Sequence, residues 1–474
     1  MLGSTYLIAL SHLLPFVLAE RTPCTTESDT YIGNAQRRFY ITSWIKRGAC
    51  IRSGGGGDLH CYTTLLGVLE GLVELRKAEY NGASGVLALI PTIGALLGAP
   101  TNEVWTLLTI LPFGGGLAMA LSFGGAIIPV HVEDYEIAMR KGDIVVGSIV
   151  SFRTAWGEKG QSPSFDRNLD LLDEKVSARI TDEESLRPDK KFIAVGLTGM
   201  VLLLIGSQIA MGVVEQGGVL PWWCASRWWM HLWYFMVTLT AITDNLVQLP
   251  FRKQHKLYVS RVPYKLTISG GESILTDPLR ARSEPDNIGR ALKHMETMPA
   301  GKVSFSGSTQ YTQPRNTVLV MVSISGNTRL ASVSRLASKA ISIAVFVTGT
   351  AMFASVTLVA INMAILVLVL VLSAGGFSRA IAGWLVRRIS EKEPMIHVIV
   401  NSEEEANQAM CRILKLRLIE DVEGYNDVQV EIDGHIFVNG RRVATRSKWY
   451  VAVLGVLANP YDLLLANDNP ELTV

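Results

Sequence analysis

Apolar and polar residues follow one another along this chain in long blocks. The first block, residues 2–19, is apolar, with His12 and Pro15 inside it. Residues 20–81 are polar and carry four consecutive glycines at 54–57; the pattern predicts an amphipathic helix over 65–76. Residues 82–100 are apolar, Thr101-Asn102-Glu103 is a minimal turn, and 104–130 is apolar again. Runs of about 20 apolar residues can cross the roughly 30 Å hydrocarbon core as helices. So short a connection between two of them predicts an antiparallel transmembrane hairpin over 82–130. Pro91 and Pro112 predict kinks in it, since each removes a backbone donor.

The alternation continues beyond that hairpin. Residues 131–191 are polar, and 192–250 hold two further apolar spans joined by a short link at 215–218. The second begins in an aromatic cluster, Trp222, Trp223, Trp228, Trp229, Trp233 and Tyr234, with Arg227 and His231 among them. Tryptophan and tyrosine settle at the headgroup level, so these residues and Arg227 are expected at the membrane interface. The long polar insert 251–339 contains two β-like stretches, 302–305 and 318–325. Residues 340–376 are apolar without one charge, and as a single helix they would be about 55 Å long. A hairpin of two short helices is expected there, with Asn362 as its only polar break; one long tilted helix is the alternative. From about 387 to 474 the chain reads as a small soluble α+β domain. Its strands are expected at 395–400, 428–432 and 435–443, with turn signals at Asp433-Gly434 and Asn439-Gly440. A Ser402–Glu405 capping box opens a helix to about 416, and an amphipathic helix covers 447–465. The expected fold is an all-α membrane bundle of helix hairpins, five to seven spans in all, with polar soluble segments and this C-terminal domain.

Composition agrees with that reading. Only 18% of the 474 residues are charged, against a usual share of about 25%, and mean hydropathy is +0.28. The net charge of +2 gives no support for a nucleic-acid partner. Five cysteines are too few and too scattered for a disulfide framework, and a Cys50–Cys61 pair would need an extracytosolic segment. The link at 215–218 and the turn at 101–103 lack Lys and Arg. The opposite flanks carry Arg140, Lys141, Lys190, Lys191, Arg252, Lys253, Arg335, Lys339, Arg387 and Arg388. This asymmetry puts the long polar segments in the cytosol, residues 20–81 and the C-terminus included. At the N-terminus two readings stand. Arg21 follows the first apolar run and no basic residue precedes it, which favours a retained span; a cleaved signal peptide would invert the topology.

Candidate chemistry is sparse. The chain has no H-E-x-x-H, G-x-S-x-G or G-x-x-x-x-G-K-[ST] motif, and the glycines at 54–57 read as a loop. Asp58, His60 and Cys61, and again His131, Glu133 and Asp134, have ligand-type side chains without a ligand spacing code, so no metal or cofactor is expected. Span cores hold only Ser207, Gln208 and Asn362 as polar insertions, which disfavours ion-coupled transport. Asp244 and Asn245 lie near a membrane boundary. Gly94 and Gly98, and Gly116, Ala120 and Gly124, recur every four residues and are expected to form helix-packing faces. The stretches LALIPTIGALLGAPTNEVWTLLTILPFGGGLAMALSFGGAIIPV and INMAILVLVLVLSAGGFSRAIAGWLV resemble those of uncharacterised multi-pass membrane proteins of filamentous fungi. The resemblance covers the spans and implies no activity.

The expected role is therefore that of a non-enzymatic multi-pass membrane protein. Its partners are the lipid bilayer and proteins docking on the cytosolic segments. Nothing in the sequence separates plasma membrane from endomembranes. A transporter or channel-like protein is the first alternative. A membrane-embedded enzyme for a lipid-like substrate is the second, and would need His131, Glu133, Asp134 and Asp244 in one pocket.

Overall fold

The computed structural model describes residues 41–53, 57–98, 102–122, 148–151, 165–181, 190–248, 251–262, 265–270, 300–306, 315–325, 329–390, 395–416 and 427–463. Among the described residues six short helices come first: α1 (Ile41–Arg52), α2 (Gly57–Glu70), α3 (Glu74–Leu87), α4 (Leu89–Gly98), α5 (Asn102–Ile110) and α6 (Pro112–Leu121). Strand β1 (Ser148–Ser151) and helix α7 (Phe165–Thr181) follow. Helices α8 (Lys190–Gly217) and α9 (Trp229–Gln248) form a first long pair. After strands β2 (Phe251–Arg261), β3 (Lys265–Ser269), β4 (Lys302–Ser306) and β5 (Arg315–Ser325) comes a second long pair, α10 (Arg329–Ala354) and α11 (Ile361–Ser390). The chain closes with β6 (Met395–Val400), α12 (Glu403–Leu414), β7 (Val428–Ile432), β8 (His435–Val438), β9 (Arg441–Thr445) and α13 (Lys448–Leu454).

Three of these helices are long and apolar enough to cross a membrane: α8, residues 333–354 of α10 and residues 361–389 of α11. Their outer faces are apolar. Phe192, Val195, Leu202, Ile205 and Ile209 of α8 are exposed, as are Ile365, Leu366, Val369, Leu370 and Phe377 of α11. Inward faces close on two clusters. One gathers Met211, Val214, Leu220, Trp229, Trp233, Phe353, Val359 and Met363 at the end where the two helix links meet. The other gathers Leu107, Ile110, Leu111, Ile193, Met200, Leu385 and Ile389 at the opposite end, together with Phe251, Leu319, Met395 and Ile399 of the sheet.

The apolar run at 340–376 is divided, as a hairpin requires. The break falls at residues 355–360, and both helices are longer than expected because their polar flanks continue the helix. Asn362 is not the break itself: it opens α11, and its Oδ1 accepts a hydrogen bond from Met363 N at 2.9 Å. The hairpin expected over 82–130 takes a different form. Its described part is a series of short helices, because Leu111 leaves the helical region (φ −138°, ψ 80°) and Pro112 starts α6 afresh. Helices α5 and α6 fold on each other so closely that a Cβ on Gly115 would lie 2.2 Å from Leu108 Cα. The helix expected over 65–76 is likewise split, α2 ending at Glu70 and α3 starting at Glu74.

Seven strands form one sheet in the order β1-β6-β5-β2-β7-β8-β9. The β1–β6 and β6–β5 pairs are parallel and the rest antiparallel. The segment beyond 387 therefore does not stand alone; it completes a sheet with strands from 131–191 and 251–339. Asp433-Gly434 and Asn439-Gly440 make the two tight turns with φ between +50° and +81°, the left-handed conformation Asn-Gly and Asp-Gly adopt in two-residue hairpins. Helices α7 and α12 cover one face through Leu172, Val176, Ala409 and Ile413. The other face meets the helical ends. Ser402 Oγ accepts from Glu405 N at 3.1 Å, the expected cap. The last helix is shorter than expected because Gly455 turns the chain at φ +55°.

Candidate functional site at the disulfide-bonded cap

Among the described residues a dense polar constellation lies where the α8–α9 and α10–α11 links meet, at the end of the long helices away from the sheet. It starts from a problem every helix has: its last carbonyls lack intrahelical donors. Arg52 of α1 solves it for α8. Its guanidinium donates to the carbonyls of Glu215 at 2.6 Å, Gln216 at 2.9 Å and also Gly218. Burial lowers its pKa to about 10, the neighbouring Arg227 adds to this, and Glu215 opposes it. The group still carries its charge at neutral pH, and a cation suits a helix C-terminus.

Glu215 then serves both helices. Its backbone carbonyl takes a bond from Arg52, and its buried carboxylate accepts from Met230 N at 2.6 Å and His231 N at 2.8 Å. The same carboxylate lies 2.5 Å from His231 Nδ1. An anion at the first turn of α9 meets free backbone donors and the positive end of the helix dipole. Helix α1 crosses α8 on two glycines. A Cβ on Gly48 would sit 2.1 Å from Gln216 O, and one on Gly217 would run into the Trp44 ring at 2.0 Å.

The second link is tied to the first. Val219 and Thr357 exchange backbone hydrogen bonds at 3.1 and 2.9 Å. Trp44 Nε1 donates to Leu358 O at 2.7 Å, and Trp222 Nε1 to Ser355 Oγ at 2.8 Å. A disulfide between Cys61 of α2 and Cys224 of the link, with Cα atoms 5.7 Å apart, fixes the short helices to this cap. Cys50 of α1 is disulfide-bonded as well. This overturns the expectation of no disulfide framework, and Cys61 does not pair with Cys50. The short helices α1 and α2 thus gather at the end of the long helices away from the sheet.

The other predicted residues fare unevenly. Trp229 and Trp233 are buried and pack against Phe353 with ring centroids 5.7 and 4.9 Å away. Trp222 and Trp228 are exposed, Trp223, Arg227 and Tyr234 partly so. Gly94 is buried, Gly98 ends α4, and Gly116 meets nothing within 4 Å, because the close approach uses its neighbour Gly115. Ala120 offers its carbonyl to the Tyr234 hydroxyl. Asp244 is buried and accepts from Ser338 Oγ at 2.8 Å. Gly124, His131, Glu133 and Asp134 lie outside the described residues. Among the described residues no group of three or more His, Cys, Asp or Glu is placed to hold a metal.

A second polar patch occupies the sheet face towards the helices. Arg446 grips Glu431 through Nε at 2.8 Å and Nη2 at 2.5 Å, and burial pushes the Glu431 carboxyl up against that pairing. The adjoining cavity, lined by Tyr258, Ser260, Thr317, Gln429 and this ion pair, is about the size of one water molecule. Neither Arg52 nor Glu215 stood out in the sequence. Each matters through a partner far away along the chain, and no local spacing marks it. No protein-family model matches the chain, and neither a curated protein nor a solved structure shows significant similarity to it.

Proposed function

We propose that the chain is a multi-pass membrane protein in which α8, α9, α10 and α11 cross the bilayer as two hairpins. The cap lies outside the cytosol, the sheet inside it, and the protein acts as a non-catalytic membrane-embedded scaffold. The observation that carries this reading is the apolar outer surface of the long helices. Besides the residues of α8 and α11 named above, α9 exposes Leu232, Phe235, Met236, Leu239 and Ile242, and α10 exposes Val333, Leu336, Ile341, Ile343 and Val347. Monomeric soluble proteins rarely show contiguous apolar patches beyond a few hundred Å². Hydrocarbon is the solvent in which this surface costs nothing.

Cysteine chemistry supports the orientation. Disulfides persist in oxidising compartments, and Cys50, Cys61 and Cys224 are oxidised at the cap. On α12, beside the sheet, Cys411 is a free thiol. Lys190, Lys191, Arg252, Lys253, Arg387 and Arg388 gather at the sheet end, as the positive-inside rule favours. A scaffold role is supported by the way the cap's charged groups are used on each other and on backbone. The test is extraction and site mapping. The protein should stay with membranes washed at alkaline pH. A glycosylation acceptor carried on a flexible spacer long enough to clear the headgroups, inserted in the glycine run at 54–57, should be modified, and one at the Asp433-Gly434 turn should not. Release by the wash sinks the membrane reading, and the reverse glycosylation pattern sinks the orientation.

A further inference from the structure

Helix α2 has three faces. Cys61, Leu65 and Val68 are buried against the cap. Turned from them by about 100–160° at 3.6 residues per turn run Leu59, Tyr62 and Leu66, all exposed, Leu59 by 77%. The remaining arc holds exposed His60, Thr63 and Glu70. A helix between protein and water needs only two faces, one apolar and one polar. A second apolar stripe beside the first, with a polar arc completing the circle, fits a helix that touches protein, lipid and water at once. We propose that α2 lies in the headgroup region of the outer leaflet, with Leu59, Tyr62 and Leu66 inserted between the acyl chains.

Three further observations point to lipid as the occupant. The Cys61–Cys224 bond ties α2 to the link that carries the exposed indoles of Trp222 and Trp228, side chains that favour the headgroup level. Just past the helix, Val73 and Leu75 extend the exposed apolar surface, Leu75 by 78%. The cap is also continuous with the outer faces of α8 and α9, which run from it towards the sheet. The three-residue link 71–73 then lets α3 leave the interface and pack on α11 through the cluster of Ala83 and Leu87 with Val359 and Met363. Interfacial helices carry such apolar stripes and bind by the area they insert. The inference rests on the membrane reading above.

The experiment uses the full chain in phosphatidylcholine vesicles. An environment-sensitive fluorescent amino acid is placed at Leu66, at Thr63 or at Ile205, one position per sample. Quenching by lipids carrying either a shallow or a deep acyl-chain nitroxide and by aqueous iodide is then compared. The Leu66 probe should be quenched by the shallow nitroxide lipid about twofold or more above the Thr63 probe, with the order reversed for iodide. Iodide quenching at Leu66 without lipid quenching overturns the proposal. Protection from both quenchers overturns it too, because a protein partner or second copy then covers the stripe. An Ile205 probe untouched by either nitroxide lipid would show that the membrane reading itself has failed. Lipid quenching at Ile205 without it at Leu66 confines the failure to α2.

Discussion

His397 shows how much a single residue can hold back from the sequence. It sits within a strand expected as 395–400 and found as Met395–Val400. Yet its ring is fully buried, with Nε2 2.8 Å from Ser323 Oγ and its centroid 5.2 Å from that of Phe251. Burial lowers its pKa from 6.5 to about 3. As pH falls, the unfolded chain takes up this proton first. The neutral ring therefore contributes stability that is complete above about pH 6.5 and declines as pH drops towards the folded value. A shift of this size corresponds to roughly 5 kcal/mol at most. The unfolding midpoint of the detergent-solubilised protein should fall between pH 7 and pH 4, and His397→Gln should flatten that fall. Parallel curves for the two proteins would assign the acid response to other groups. Alternation of apolar residues located the strand, but burial on both faces depends on helices from elsewhere in the chain.

Elements were legible where their signals are local and obscured where packing decides. The tight turns at Asp433-Gly434 and Asn439-Gly440, the Ser402 cap and the paired helices over 340–376 all carry signals within a few residues. Pro112 predicts a kink and makes a complete break, because Leu111 before it leaves the helical region and α6 turns back against α5. The four-residue spacing of small residues pointed to Gly116, whereas contact is made one position earlier. A spacing rule gives the period of a face; which face meets the neighbour is fixed by where the helix starts. Gly115→Ala should destabilise the α5–α6 pair by about 1–3 kcal/mol, since its methyl meets Leu108 backbone that cannot swing away. Gly116→Ala meets nothing and should be neutral or stabilise by up to about 1 kcal/mol through helix propensity. Thermal unfolding of the two variants side by side checks this, and equal losses would refute the contact.

At the scale of the whole molecule, the sheet and the helices are one structure through an unexpected joint. Three polar segments, separated in sequence by apolar pairs, each read as a local unit; only their strands' pairing, over separations no periodicity reports, makes them one sheet. That sheet is fixed to the helices at Gly455, the residue ending α13. Its φ of +55° and ψ of −128° disfavour any side chain, and a Cβ there would lie 2.2 Å from Ile110 O and 2.9 Å from Pro112 Cδ. The apex of the α5–α6 pair thus rests on the backbone of the sheet half, next to Val456, which joins the cluster of Leu107, Ile110 and Leu111. Gly455→Val adds both strain and a clash at this joint while leaving the cap untouched. Two separate effects should follow. Unfolding should be lowered by about 2–4 kcal/mol, and limited proteolysis should open the sheet half while the disulfide-bonded cap stays intact. If cap and sheet become protease-sensitive together, the joint is not a boundary, and the molecule unfolds as a single cooperative unit.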